Sequence, residues 1–135
     1  MKNKRKICFV INSRANYGRV KNLLILLNKK KDVELQIILG ASSILYKFGD
    51  ISTLLKQDGL KITETFFSIV EGENLVTMTK SAGLTIIELS NIFKKIKPDV
   101  VVVLADRFEN LPVAICASYM TVSYTHLTLP TNREV

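Results

Sequence analysis

Apolar positions along this chain follow two rhythms: short unbroken runs, and longer stretches in which they return every three or four residues. The first run, ICFVI at residues 7–11, lies between charged residues and the polar NSRANYG segment, the pattern of a strand buried on both faces. Val20, Leu23, Leu24 and Leu27 then mark one side of a helix, and Lys29, Lys30 and Lys31 fall where a helix C-terminus favours positive charge. VELQIIL, Val33–Leu39, ends at Gly40 and predicts a second strand. Residues 43–57 form a weaker helical region that Gly49 and Asp50 interrupt. After a turn at Asp58 and Gly59, residues 62–69 predict a third strand through Thr63, Thr65, Phe66 and Phe67.

The polar EGEN segment, residues 71–74, leads into a long helical pattern over residues 75–95, where Gly83 permits close packing against another backbone. Pro98 punctuates the chain before VVVVLA at residues 100–105, the clearest buried strand. Leu111, Ala114 and Ile115 resume a helical pattern with Pro112 in its first turn. This alternation predicts an α/β fold, a Rossmann-like three-layer domain with a mostly parallel sheet, helices on both faces and right-handed crossovers. Ligands of such sheets meet the loops at the C-terminal ends of the strands, which directs attention to residues 12–18 and 105–110.

A length of 135 residues fits one domain with a single core. Activity in an interdomain cleft would therefore need its second wall from elsewhere. Hydrophobic residues at 47% and charged residues at 23% exclude a disordered or fibrous chain. The net charge of +7 falls to +3 without Lys2, Lys4, Arg5 and Lys6, all ahead of the first apolar run. The excess is a basic tail, and with no aromatic stacking series it argues against nucleic-acid binding. Cys8 and Cys116, each in an apolar setting, suggest buried thiols in a reducing compartment. With His126 as the sole histidine, the chain offers no zinc cluster. The apolar stretch at 7–11 is too short for a signal-peptide core, and nothing approaches the roughly 20 apolar residues of a membrane span, so the cytoplasm is expected.

In the first loop Arg14 sits beside the unpaired backbone donors of the next helix, a combination that attracts phosphate. The segment is neither a GxGxxG fingerprint nor a P-loop; a polar turn with Arg14 in solvent is the alternative. In the second loop, partial burial would raise the Asp106 carboxyl toward proton-transfer use, while Arg107 would favour its charged form. A helix cap or a surface pair of Asp106 with Arg107 is the plainer alternative, with Glu109 on a solvated helix face. Ser13 and Ser81 lack the partners of a hydrolase nucleophile and suit capping. Tyr17, Tyr46, Tyr119, Phe66 and Phe67 suit packing.

Four segments carry a more specific signal: ICFVINSRANYG at 7–18, IVEGEN at 69–74, SAGL at 81–84 and KPDVVVVLADRFENLPVAICASYM at 97–120. In this order they resemble the N-terminal part of the UDP-N-acetylglucosamine 2-epimerase family, hydrolysing branch, of sialic-acid and nonulosonate biosynthesis. The resemblance covers roughly residues 6–120. It implies one wall of a two-domain glycosyltransferase-B-like fold that binds UDP-N-acetylglucosamine, with no cofactor or metal, and a homodimer at full length. Members are more than twice this length, and their C-terminal domain supplies most uridine and diphosphate contacts. The implied reaction eliminates UDP to a glycal-like intermediate, to which water adds to give N-acetylmannosamine.

Carried over residue by residue, Asp106 matches the catalytic aspartate, and Arg14, Gly18 and Arg107 match substrate-binding positions. Ala105 stands where the family commonly has Gly, and Asn12 and Ser13 depart from its usual residues before the first-loop arginine. After Met120 the expected His-x-Glu-Gly-Gly-like segment is replaced by TVSYTHLTLPTNREV. The division expected is therefore an N-terminal Rossmann-like epimerase domain at 1–120, truncated and inactive alone, and a divergent, non-native tail at 121–135 in which neither His126 nor Glu134 has a role. The alternatives are an authentic divergent C-terminal strand and tail at 121–135 and, for the chain, a non-catalytic α/β sugar-nucleotide-binding module, a flavodoxin-like or response-regulator-like domain, and a purely structural one.

Overall fold

The apolar run that opens the chain becomes β1 (Arg5–Ile11), and its burial from Cys8 through Ile11 puts it at the centre of the sheet. The computed structural model describes residues 3–45, 50–104 and 108–127. After β1 come α1 (Arg14–Asn28), β2 (Val33–Leu39), a 3-10 turn at Ala41–Ile44, α2 (Ser52–Gln57) and β3 (Glu64–Thr65). α3 (Leu75–Ile96), β4 (Val100–Leu104), α4 (Asn110–Tyr119) and β5 (Ser123–Leu127) complete the order. The strands run β3-β2-β1-β4-β5 across the sheet, and every pair is parallel. This is the α/β Rossmann-like arrangement that the strand-helix alternation predicts.

Successive strand side chains point to opposite faces, and the core divides accordingly. Phe9 and Ile11, with Ile37, Leu39, Val102 and Leu104 beside them, pack under Tyr17, Val20 and Leu24 of α1 and Leu55 of α2. Cys8, Val10, Ile38, Val101 and Val103 face the other way, against Leu89, Ile92 and Phe93 of α3 and Val113, Cys116 and Ala117 of α4. Each large side chain so buried contributes about 1.5–3 kcal/mol. A continuous apolar run is thus needed in β1 and β4, because neither face meets water.

Several boundaries differ from the pattern in the sequence. α1 begins at Arg14, because the Ser13 hydroxyl accepts the Asn16 N–H at 3.2 Å and caps the helix. Tyr17 then extends the buried stripe of Val20 and Leu24 by one turn. The strand expected at 62–69 is reduced to Glu64–Thr65, although the N–H groups of Thr63 and Phe66 also bond to the carbonyls of Ile37 and Leu39. Within the weak helical region, residues 46–49 lie outside the described ones, Tyr46 among them.

Gly40 ends β2 directly under Phe66, whose ring a Cβ there would overlap. Gly83, by contrast, is exposed and meets nothing within 4 Å, so the close packing expected of it does not occur among the described residues. Phe66 and Tyr17 are buried as packing residues, whereas Phe67 and Tyr119 are exposed. Both cysteines are buried free thiols. Among the described residues, no helix is long and apolar enough to cross a membrane. Residues 123–127 pair with β4 residue for residue in one parallel register, Val100 with Ser123 through Leu104 with Leu127, and form an edge strand.

Candidate functional site

From β1 the chain winds outward through β2 to β3, then returns to the other side of β1 for β4 and β5. The order therefore reverses between β1 and β4, and the C-terminal ends of strands at such a point are where open α/β sheets bind ligands. A cleft of about 990 Å³ opens at this end of the sheet. Ser42 and Leu45 line it after β2, residues 69–74 after β3, and Phe108 and Glu109 after β4, while Thr77, Met78 and Ser81 contribute from α3. Leu45, Ile69, Met78 and Phe108 interleave with polar groups, a lining suited to a ligand with apolar and hydrogen-bonding faces.

Local hydrogen bonds hold the EGEN wall. The Ser81 hydroxyl accepts the Val70 N–H at 2.8 Å, and a reciprocal capping box between Asn74 and Thr77 starts α3. Between these anchors the backbone turns through positive φ at Gly72 (138°) and Glu73 (49°); the second is a conformation uncommon for a residue with a Cβ. Ser81 is thus a local hydrogen-bonding residue, as its sequence context suggests.

The opposite side is laced by side-chain bonds between strand ends. Ser42 Oγ donates to the Asn12 carbonyl at 3.1 Å, and Ser43 Oγ to the carbonyls of Ile11 and Gly40 at 3.0 and 2.6 Å. Asn12 Nδ2 donates to Asn110 Oδ1 at 3.1 Å and to the Glu109 carbonyl at 3.4 Å. All five of Asn12, Asn16, Ser43, Glu109 and Asn110 are buried. Among the described residues, Asn12 Oδ1, Asn16 Oδ1 and Asn110 Nδ2 find no hydrogen-bond partner, and neither does Gln36 Oε1 in β2, away from the cleft; native interiors leave few such groups unmet.

Arg14 is the first residue of α1 and is exposed beside the reversal point; Gly18 lies further along the same helix, exposed, with nothing within 4 Å of a would-be Cβ. Neither lines the cleft. Asp106 and Arg107, the other two candidates, lie outside the described residues. Glu109 is only 4% exposed, not on a solvated helix face, because α4 starts inside the cleft wall. The chemical reading of the two loops passed over the wall at 69–74, although a polar segment between a strand and a long helix marks a strand-end loop.

Behind α1, the Tyr17 hydroxyl donates to Asp58 Oδ2 at 2.5 Å, and Lys21 Nζ lies 3.2 Å from Asp58 Oδ1. Burial and the neighbouring carboxylate push the Tyr17 phenol well above its ordinary value. The Tyr17 hydrogen bond, assisted by Lys21, holds the Asp58 carboxyl below its ordinary value. Burial raises both cysteine thiols, so neither is a ready nucleophile.

A family model described as UDP-N-acetylglucosamine 2-epimerase matches residues 26–128. The GDP/UDP-N,N'-diacetylbacillosamine 2-epimerase (hydrolyzing) of Campylobacter jejuni is 33% identical over 124 residues, 92% of this chain and 32% of that protein. Among solved structures, a UDP-N-acetylglucosamine 2-epimerase superposes with a TM-score of 0.78 at 20% identity, over 93% of this chain and 33% of the other. The Methanocaldococcus jannaschii UDP-GlcNAc 2-epimerase, in complex with UDP-GlcNAc and UDP, superposes with a TM-score of 0.74 at 23% identity, over 90% and 32%. The chain spans about a third of the length of the curated relatives it matches.

Proposed function

Since the chain belongs to the UDP-N-acetylglucosamine 2-epimerase family, we propose that it forms the N-terminal wall of a hydrolysing sugar-nucleotide 2-epimerase that acts in the cytoplasm. The observation that carries this reading is the cleft at the strand-order reversal, inside a segment the family model spans almost throughout. The substrate is a UDP-linked 2-acetamido sugar, UDP-N-acetylglucosamine or a relative of it. Elimination of UDP leaves a glycal-like intermediate, and addition of water gives the 2-epimeric free sugar, N-acetylmannosamine in the simplest case.

Asp106 exchanges a proton with the sugar, and Arg14, Gly18 and Arg107 contact the sugar or diphosphate. Proton transfer at a carbon centre needs several acid and base groups held in place, and a one-walled cleft leaves the sugar open to water. Turnover therefore awaits the second domain, and this chain alone is inactive. In this reading residues 1–120 are the enzyme's own and 121–135 stand in place of its continuing sequence; the family match through residue 128 and the pairing of β5 with β4 favour the opposite outcome for 121–128. Sequencing the genomic DNA beyond codon 120 tests this division. Continuation into an apolar strand and a His-x-Glu-Gly-Gly-like motif is expected, and its product should release UDP from UDP-N-acetylglucosamine or UDP-N,N'-diacetylbacillosamine. A stop directly after Val135, with saturable UDP-sugar binding and no turnover, would instead establish a binding module.

The full enzyme is a homodimer in this reading. Val76, Leu84 and Ile87 leave an exposed apolar stripe on α3, and Lys80 and Glu88 lie one turn to either side of Leu84. An antiparallel two-fold contact at Leu84 sets each Lys80 against the partner's Glu88. Lys80→Glu or Glu88→Lys alone should weaken the dimer in sedimentation, and the double exchange should restore it.

A further inference from the structure

Asn12 lines no part of the cleft, yet it is bonded to two of its walls. Its carbonyl accepts from Ser42, and its amide donates to the Glu109 carbonyl and the Asn110 side chain; Ser42 and Glu109 both line the cleft. One residue at the end of β1 thus ties the segment after β2 to the segment after β4. Sequence separations of 30 to 98 residues make these ties tertiary, not local turns. Asn12 and Asn110 are each 1% exposed, while Asn12 Oδ1 and Asn110 Nδ2 find no partner among the described residues. A buried amide pair that leaves an acceptor and a donor unmet is a poor way to gain stability, since two apolar side chains of similar shape would leave nothing unsatisfied.

We propose that Asn12 is a positioning residue of the cleft, its amide bond to Asn110 and Glu109 fixing the start of α4 against Ser42. The proposal rests on the sugar-nucleotide reading only for what the cleft binds; the brace itself is a property of the strand ends. Misplacement of a reacting group by about 1 Å lowers turnover far more than binding, so loss of the brace acts on kcat.

The brace is tested first in the 135-residue chain by amide hydrogen exchange. Asn12→Ala removes the amide bonds but keeps the backbone carbonyl that accepts from Ser42, so it should speed exchange at least tenfold in the first turn of α4, with Ala41–Ile44, β1 and β4 unchanged. Asn110→Leu, which removes the acceptor, should do the same at α4. Asn110→Asp keeps an oxygen facing Asn12 Nδ2 and should retain slow exchange there. Uniformly faster exchange, or none, would overturn the brace, as would loss of protection in Asn110→Asp equal to that in Asn110→Leu.

In the enzyme encoded by the continuous gene, Asn12→Ala should lower kcat at least tenfold while KM for UDP-N-acetylglucosamine stays within threefold. An unchanged kcat in a variant with altered exchange would limit Asn12 to structure and refute its positioning role. Failure of the parent enzyme to turn over any UDP-sugar would refute the sugar-nucleotide reading instead, and the exchange measurement still decides the brace.

Discussion

The middle of the central strands and their C-terminal ends are built on different physics, although only a few residues separate them. In the middle, Phe9, Val10, Val101 and Val103 are held by apolar burial from both sides, which is non-directional and tolerates volume-conserving exchange. At the ends, Asn12, Ser42, Ser43, Glu109 and Asn110 are joined by directional bonds, and three buried polar atoms there find no hydrogen-bond partner among the described residues. Stability resides mainly in the first region and shape in the second. The reversal of strand order puts the cleft at the region that depends on geometry.

The largest effect should come from breaking the middle. Phe9→Ala removes a ring only 1% exposed and should destabilise by about 3–5 kcal/mol in urea unfolding. A loss below 1 kcal/mol would contradict the two-faced core. Gly40→Ala acts at the border of the two regions, where the new methyl overlaps the Phe66 ring; overpacking of this kind costs about 1–3 kcal/mol, and Phe66→Leu should recover part of it.

Ser81→Ala belongs to the cleft end alone. It leaves the Val70 N–H without its hydroxyl acceptor and should cost about 1 kcal/mol, while limited proteolysis speeds in residues 69–74. Equal proteolysis of variant and parent would detach Ser81 from that wall.

The smallest effect is the pH response of Tyr17 and Asp58. The Tyr17 phenol is raised in the folded state, so its contribution is complete below the ordinary tyrosine value near 10 and fades as pH rises above it. The Asp58 carboxyl is lowered, so its contribution is present at neutral pH and fades as pH falls below the ordinary aspartate value of 3.8. Tyr17→Phe should flatten the alkaline limb of a stability–pH profile and weaken the acid one. Unaltered limbs would sever the pair from both.

The cluster chemistry was the least legible part of the sequence. Apolar runs announced β1, β2 and β4, and the three- to four-residue spacing announced α1 and α3, because each pattern reports which sides of an element are dry. The two-residue β3 was overestimated: Thr65, Phe66 and Phe67 favour strands, but only Phe66 has a core to enter, against Gly40. The apolar spacing placed α1 only from Val20, whereas its start at Arg14 was marked by the capping chemistry of Ser13, a polar signal without periodicity. The plainer alternative for Glu109, a solvated helix face, does not hold, and nothing in a lone acidic residue announces that its helix begins inside a wall.

The sequence by itself determined that this is an alternating α/β domain, which strands are buried on both faces, and, through four ordered segments, the family to which it belongs. Those properties are local or additive along the chain. Only the tertiary structure decided that the order reverses beside β1, that residues 69–74 face Phe108 and Glu109 across a cleft, and that Asn12 ties together segments up to 98 residues apart. Such contacts depend on the directions in which several strand ends converge, and a linear pattern of apolar and polar positions carries no record of direction.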